Sequence, residues 1–237
     1  MTEAPALSVI IPTLDEAQRL PALLQALARQ GARHEVIVAD GGSTDGTPAR
    51  ALDMGARVVF AKRGRGAQLA AGAAASRGRV LLFLHADSHL PDGALAAVES
   101  ALEANEHLVG GNFRLRFDGS DAFSAWLDGF YAWIRRHGVY YGDSGVFVRR
   151  GVYEALGGIR PWPLMEDYDF NRRLERAGAT CCIGEPALGT SARRFEGRRP
   201  AAIVAGWLWV HALFHLGMAP DRLARIYDSA RARRPHA

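Results

Sequence analysis

A chain of 237 residues with 49% hydrophobic content can bury a full core, as one large domain or two small ones, and nothing in it is repetitive or disordered in composition. Its 29 Lys and Arg against 25 Asp and Glu leave a formal charge of +4, which favours anionic partners: a phosphorylated small molecule, an acidic membrane surface or nucleic acid. The two cysteines, Cys181 and Cys182, are adjacent, which excludes a useful disulfide staple and a zinc spacing; they read as two small buried hydrophobes on a strand, consistent with a reducing cytoplasm.

The chain opens MTEAPALSVIIP, an acidic start with an apolar run too short for a secretory signal, so a cytosolic start is expected. Leu7 to Ile11 is a β-branched run closed by Pro12-Thr13 and reads as the first strand. Asp15 and Glu16 then open a helical pattern carried by Leu20, Leu23, Leu24 and Leu27. Val36 to Ala39 is a second strand running into Asp40-Gly41-Gly42-Ser43-Thr44-Asp45-Gly46-Thr47, whose glycines permit a tight turn and close backbone approach to a ligand. Arg57 to Ala61 is a third strand, followed by the basic glycine-rich link Lys62 to Gly66 and an alanine-rich helix over 67–76.

Val80 to Leu84 is an unbroken apolar run, which suits a strand buried on both faces, and it delivers His85-Ala86-Asp87 to its carboxyl end, where open α/β sheets bind ligands. Four β-then-α steps at this rhythm predict an α/β fold with a mostly parallel, helix-covered sheet, its loops at 12–16, 40–46, 62–68 and 85–91 sharing one rim. Beyond a helix at 93–104 the pattern changes: Val109 to Phe117 alternates like an antiparallel strand, and Ala122 to Arg136 is an aromatic helix with Trp126, Phe130 and Trp133 along one side. Gly142 to Arg149 reads as loop and strand, and Met165 to Ala177 as a helix with an acidic first turn. Ala201 to Ala219 carries no charge if His211 and His215 are neutral. A buried or dimer-forming helix, a helix lying on a membrane surface and a short span all remain open for it. A basic amphipathic helix follows from Asp221 to Arg234.

Four stretches together resemble the family 2 glycosyltransferases, inverting nucleotide-sugar enzymes of GT-A fold. They are Val9-Ile10-Ile11-Pro12-Thr13 with Asp15-Glu16, the octet beginning at Asp40, Leu82 to Asp87, and Met165 to Phe170 with Arg173-Leu174. The forms LHADS, GDSGVFVRR over 142–150 and TSARRF over 190–195 look like a bacterial subgroup associated with arsenosugar biosynthesis. Two departures stand out: the family's Asp-x-Asp is His85-Ala86-Asp87 here, and its Asp-Asp-Gly-Ser is Asp40-Gly41-Gly42-Ser43.

The resemblance implies a GT-A domain over 1–200, its donor half about 1–105 and its acceptor half about 106–200, with 201–237 a helical extension. It implies a divalent cation, Mg²⁺ or Mn²⁺, on Asp87 to neutralise a departing diphosphate; His85 is either a ligand to a softer metal or a ribose contact. Ala86 belongs to the same turn. Asp40 would accept from the base, with Pro12, Thr13, Asp15, Glu16 and Gly42 flooring the nucleoside pocket. Asp15 and Glu16 read equally as helix-start carboxylates. Arg65 and Gln68 would reach phosphate or ribose, or lie in a solvated basic loop, and Arg193 and Arg194 would close on the diphosphate.

For inversion, Asp167 is the candidate base, with Glu166 beside it positioning acceptor or metal water; the pair would otherwise serve only the helix dipole. Asp143 and Ser144 would border the acceptor, and Trp162 would stack on a sugar or fill the core. Residues 40, 87 and 167 are thus expected around a single cleft. The competing readings are a polyprenyl-phosphate sugar transferase at the membrane, with a possible homodimer, and a non-catalytic nucleotide-sugar-binding protein. A dinucleotide oxidoreductase fits poorly, since no GxGxxG follows the first strand, and nothing beyond charge favours nucleic acid.

Overall fold

The computed structural model describes residues 5–192 and 199–232. Its seven strands are β1 (Leu7–Thr13), β2 (His34–Asp40), β3 (Arg57–Phe60), β4 (Val80–Phe83), β5 (Leu108–Phe117), β6 (Val146–Arg149) and β7 (Ala179–Thr190). They form one sheet in the order β3-β2-β1-β4-β6-β5-β7. β1, β2, β3 and β4 are mutually parallel, so their carboxyl ends share one rim, with Thr13 opposite Asp40 and Ile10 opposite Phe83. β6 runs antiparallel between β4 and β5, and β5 pairs in parallel with β7. The alternation of Val109 to Phe117 therefore marks a strand with one antiparallel and one parallel neighbour.

Because β1 and β4 are apolar on both faces, helices must cover both. On one face α1 (Leu20–Ala28) and α4 (Ala94–Ala104) bury Leu20, Leu23, Leu27, Leu95 and Val98 against Val9, Ile11, Leu82 and Leu84. On the other, α3 (Arg65–Ala75), α6 (Arg150–Ala155) and α7 (Glu166–Ala177) bury Leu69, Tyr153, Phe170 and Leu174 against Ile10, Leu81, Phe83 and Val148. The short α2 (Thr47–Asp53) follows β2, and α5 (Ala122–Arg135) packs its Leu127 and Tyr131 beside Leu115 and Phe117. α8 (Pro200–His215) and α9 (Pro220–Ala232) complete the fold.

Three local expectations change. Asp15 and Glu16 lie ahead of α1, which begins only at Leu20, because their backbone is held by the 43–47 loop instead. Cys182 is exposed and Cys181 half-buried, since they sit on an edge strand whose alternate residues face out. α8 ends at His215, and no described helix is long and apolar enough to cross a membrane.

The two strand ends that open the rim are stitched from below. Gln68 is buried, and its amide donates to the carbonyls of Thr13 (2.6 Å) and Ala39 (2.9 Å). A Cβ on Gly41 would stand 3.0 Å from the Gln68 amide, which accounts for glycine where the family pattern has its second aspartate. Gln68→Leu should lower the unfolding free energy by about 1–3 kcal/mol by removing a donor from buried carbonyls, read as an earlier midpoint in denaturant titration.

Candidate active site

The rim is built by two loops laced together. The Asp15 carboxylate accepts from the Thr44 N–H (2.8 Å) while the Asp15 N–H donates to Ser43 Oγ (2.9 Å). Asp45 accepts from the Ala17 N–H (2.9 Å) and the Thr47 N–H (3.0 Å), and its bond from the Thr47 hydroxyl leads the interactions that hold its carboxyl below the ordinary value. Glu16 N–H donates to Thr47 Oγ1 at 2.9 Å.

Asp40 lies at the floor of this structure. It is wholly buried, with Oδ1 accepting from the Gly42 and Ser43 N–H groups (2.9 and 2.8 Å) and Oδ2 from the hydroxyls of Thr13 (3.0 Å) and Ser43 (2.5 Å). Four donors fill the lone pairs a carboxylate offers, so Asp40 shapes the turn that Pro12, Thr13 and Gly42 belong to and has none left for a base in this arrangement. Gln68, committed to the strand ends, likewise faces inward.

At the end of β4 the turn closes on itself: His85 N–H donates to Ser88 Oγ (3.2 Å) and Ser88 N–H to the His85 carbonyl (3.1 Å). Ala86 and Asp87 line a cavity of about 290 Å³ whose other walls are Arg19, Ala22, Ser88, His89 and Ser191. His85 turns the other way. Its Nε2 lies 3.3 Å, and Asp167 Oδ2 3.2 Å, from the point a Cβ on Gly142 would occupy, so the imidazole and the carboxylate converge on that glycine. Of residues 40, 87 and 167, expected around one cleft, Asp40 is sealed beneath its loop, Asp167 meets His85, two residues before Asp87, and Asp87 lines the cavity on the α1 side of that turn.

The acidic pair divides its work. α7 starts after Met165, a non-glycine residue in the left-handed region (φ 65°), which is strained backbone directly ahead of Glu166. Glu166 is wholly buried and cannot touch an acceptor, which corrects its expected role. It is ion-paired with the Arg65 guanidinium through Nε, and Arg65 stands 3.7 Å from Asp167. Arg65 is thereby committed in part to a buried carboxylate, which needs a counter-charge, while its side chain stays 35% exposed. Burial pushes the Glu166 carboxyl up, an effect Arg65 only partly offsets; burial works against the Arg65 charge too, but the surrounding carboxylates raise it further. The contact is possible because Gly66 lets α3 approach the 160–162 segment: a Cβ there would lie 2.5 Å from the Arg160 carbonyl.

Asp167 is the exception among these carboxyls. Burial works to raise it, yet Arg65 and two backbone donors, Gly142 N–H on Oδ2 (2.9 Å) and Tyr168 N–H on Oδ1 (2.7 Å), hold it below the usual value, with His85 assisting. Asp143 and Ser144, expected beside the acceptor, point inward from the turn that presents Gly142. Ser144 Oγ donates to the Tyr141 carbonyl (2.7 Å), and Asp143 is buried near the Tyr131 hydroxyl. Trp162 is half-buried between Arg160 and Phe214. Arg193 and Arg194 lie outside the described residues.

No group of three or more His, Cys, Asp or Glu gathers as a metal cage among the described residues. At this turn Asp87 is the carboxylate lining the cavity, an oxygen donor of the type that would hold a hard divalent cation.

The model of "Glycosyl transferase family 2" matches residues 8–155. The chain belongs to that family. A Mycobacterium tuberculosis relative, a "PGL/p-HBAD biosynthesis glycosyltransferase", is 33% identical over 208 residues, covering 79% of this chain and 73% of its own. Among solved structures, a Pyrobaculum calidifontis mannosyltransferase in complex with GDP-Man and Mn²⁺ superposes with a TM-score of 0.66 at 20% identity, over 95% of this chain and 68% of that one. Glucosyl-3-phosphoglycerate synthase from M. tuberculosis, with Mn²⁺, UDP and glucosyl-3-phosphoglycerate, gives 0.60 at 19%, over 91% and 81%. The fold is GT-A and the protein is a glycosyltransferase.

Functional groups that the sequence did not single out are the Gly142 N–H, Tyr141 and Tyr168 around Asp167, and Arg19 and Ser191 around Asp87. Backbone donors leave no mark in a sequence; the histidines of α8, conspicuous in an apolar helix, were the one available signal for the tyrosines. Arg65→Met should raise the pKa of the Asp167 carboxyl, which the parent holds below the ordinary Asp value of 3.8, as read by NMR titration of that side chain.

Proposed function

We propose that this glycosyltransferase inverts the anomeric centre, moving a sugar from a UDP-sugar to an acceptor hydroxyl with Asp167 as the base. The observation that carries this reading is a carboxylate, cradled by two N–H groups, facing the His85 end of the turn that also bears Asp87.

The acceptor oxygen forms its bond to the anomeric carbon on the face opposite the diphosphate, and its proton passes to an Asp167 oxygen. The bond from that carbon to the diphosphate oxygen breaks, and the electron pair leaves with the diphosphate. A divalent cation bound to Asp87 would supply electrostatic relief for that growing charge. Glu166 and Arg65 act as positioning residues: they fix the start of α7, and Arg65 keeps Asp167 ionised. The cavity at Asp87, with Arg19 beside it, is the proposed diphosphate end, and the laced loops of Asp15 and Ser43 the nucleoside end.

Asp167→Asn should cut transfer by about 10²–10⁴-fold with UDP affinity retained, whereas Asp87→Ala should weaken UDP binding in the presence of Mn²⁺. Both are read by calorimetry alongside UDP release, and the anomeric configuration of the product is read by NMR. Equal turnover in parent and Asp167→Asn, or retention of configuration, overturns the assignment. The forms resembling the arsenosugar-associated subgroup make an arsenosugar precursor one acceptor to offer in that assay.

A membrane-linked acceptor such as a polyprenyl phosphate is a second reading, favoured by the exposure of Leu208 (67%), Trp209 (60%) and Leu216 (83%) on α8 and its end. Tryptophan and leucine so placed suit a lipid interface. On this reading the protein floats with anionic vesicles and Leu208→Ser with Trp209→Ser releases it; recovery of the parent in the soluble fraction defeats it.

A further inference from the structure

α8 is almost wholly apolar yet carries His211 and His215 one turn apart, an arrangement that the chemistry described so far does not use. Each ring meets a tyrosine hydroxyl. His211 Nε2 lies 2.9 Å from the Tyr141 hydroxyl, and His215 Nε2 lies 3.1 Å from that of Tyr168. These two tyrosines occupy special places in the chain. Tyr141 immediately precedes Gly142, whose N–H holds Asp167 Oδ2, and its carbonyl anchors the turn by accepting from Ser144. Tyr168 immediately follows Asp167, and its own N–H holds Oδ1.

The two donors that orient the Asp167 carboxylate thus stand on backbone fastened, through two stacked tyrosine rings 6.2 Å apart, to two histidines of a single helix. His211 packs edge-on against the Tyr168 ring as well, at 4.7 Å, so it touches both segments. Met165, Leu164, Val210, Leu213 and Phe214 pack around this joint, half-burying His211 while His215 stays exposed, so the His211 bond is the more shielded of the two.

The geometry points to His211 as a positioning residue for the glycosyl transfer: through the Tyr141 hydroxyl it sets the Gly142 N–H, and so aims the Asp167 carboxylate at the acceptor oxygen. This rests on Asp167 being the base. Burial, with His215 adding to it, lowers the His211 imidazolium, and burial raises the Tyr141 phenol, so both partners are held neutral; with the ring proton on Nδ1, Nε2 accepts the phenolic proton. A glutamine amide can replace an imidazole nitrogen in such a bond; leucine fills the space and offers no partner.

The test compares the full-length parent with His211→Leu, His211→Gln and Tyr141→Phe, the last removing only the hydroxyl. Three quantities are read: UDP release from UDP-glucose with Mn²⁺, UDP affinity by calorimetry, and hydrogen exchange of the Gly142 amide by NMR. In His211→Leu and Tyr141→Phe the rate should fall about 10- to 100-fold, as expected when a reacting group is misplaced by an ångström, with UDP affinity changed less than about twofold. The Gly142 amide should exchange at least about tenfold faster, and His211→Gln should recover most of both losses. An unchanged Gly142 exchange rate, a Gln variant as impaired as Leu, or UDP affinity falling in step with the rate overturns the inference. Should the parent itself fail to consume UDP-glucose, the fault lies with the proposed donor, and the exchange measurements on the same proteins decide the clamp alone.

Discussion

Everything at the acceptor side depends on one buried ion pair. Glu166 is the first residue of α7 and has no exposure to solvent, and a lone carboxylate in that position would cost several kcal/mol in lost hydration. Arg65, at the start of α3, answers it. The pair joins a helix of the parallel, nucleotide-facing half of the sheet to the helix that presents the base. The two halves cannot slide without stranding a charge. Because Arg65 also stands within 3.7 Å of Asp167, the same guanidinium that secures the architecture keeps the neighbouring carboxyl ionised. Structure and electrostatics are set by one side chain here, and the closeness of α3 to the 160–162 segment that allows it depends on a residue without a Cβ, Gly66.

The parallel half was legible because its signals are local. Val80 to Leu84 and Leu7 to Ile11 are apolar on both faces, and a strand of that kind demands helices above and below it. Rim loops then follow from right-handed crossovers. The site was legible in outline for the same reason, since strand ends announce themselves. What the sequence did not carry was direction. Asp40 and Gln68 sit on the rim in number but turn inward, and Arg65 is drawn partly inward, because buried carbonyls, N–H groups and Glu166 compete for them with solvent. No spacing rule tells whether the fourth residue of a basic glycine-rich link will meet a carboxylate 101 residues away.

α8 illustrates the opposite case, in which a local signal was present and ambiguous. An uncharged helix holding two histidines is compatible with core, interface or lipid surface. The structure resolves the histidines and leaves the helix's other side apolar and exposed: the His-bearing side is taken up by Tyr141 and Tyr168, and Leu208 and Trp209 face outward. One helix thus meets the catalytic turn on one side and offers an apolar surface on the other, so whatever covers that surface would bear on the residues holding Asp167.

The low pKa of Asp167 constrains the chemistry it can take part in. A carboxylate stabilised by Arg65 and two N–H groups is a weak base, unable to strip an alcohol of its proton before anything else happens. It becomes competent only as the acceptor oxygen acquires positive character, once its bond to the anomeric carbon is forming and the diphosphate is already departing. The proton then moves late, down a gradient created by bond formation. Such a base gains little from a raised pKa and much from being held still, in line with the His85 imidazole facing it across Gly142 and with the tyrosines beside both its N–H donors being tied to α8. On the proposed assignment the base is tuned by orientation, and the force for the reaction is left to the leaving group.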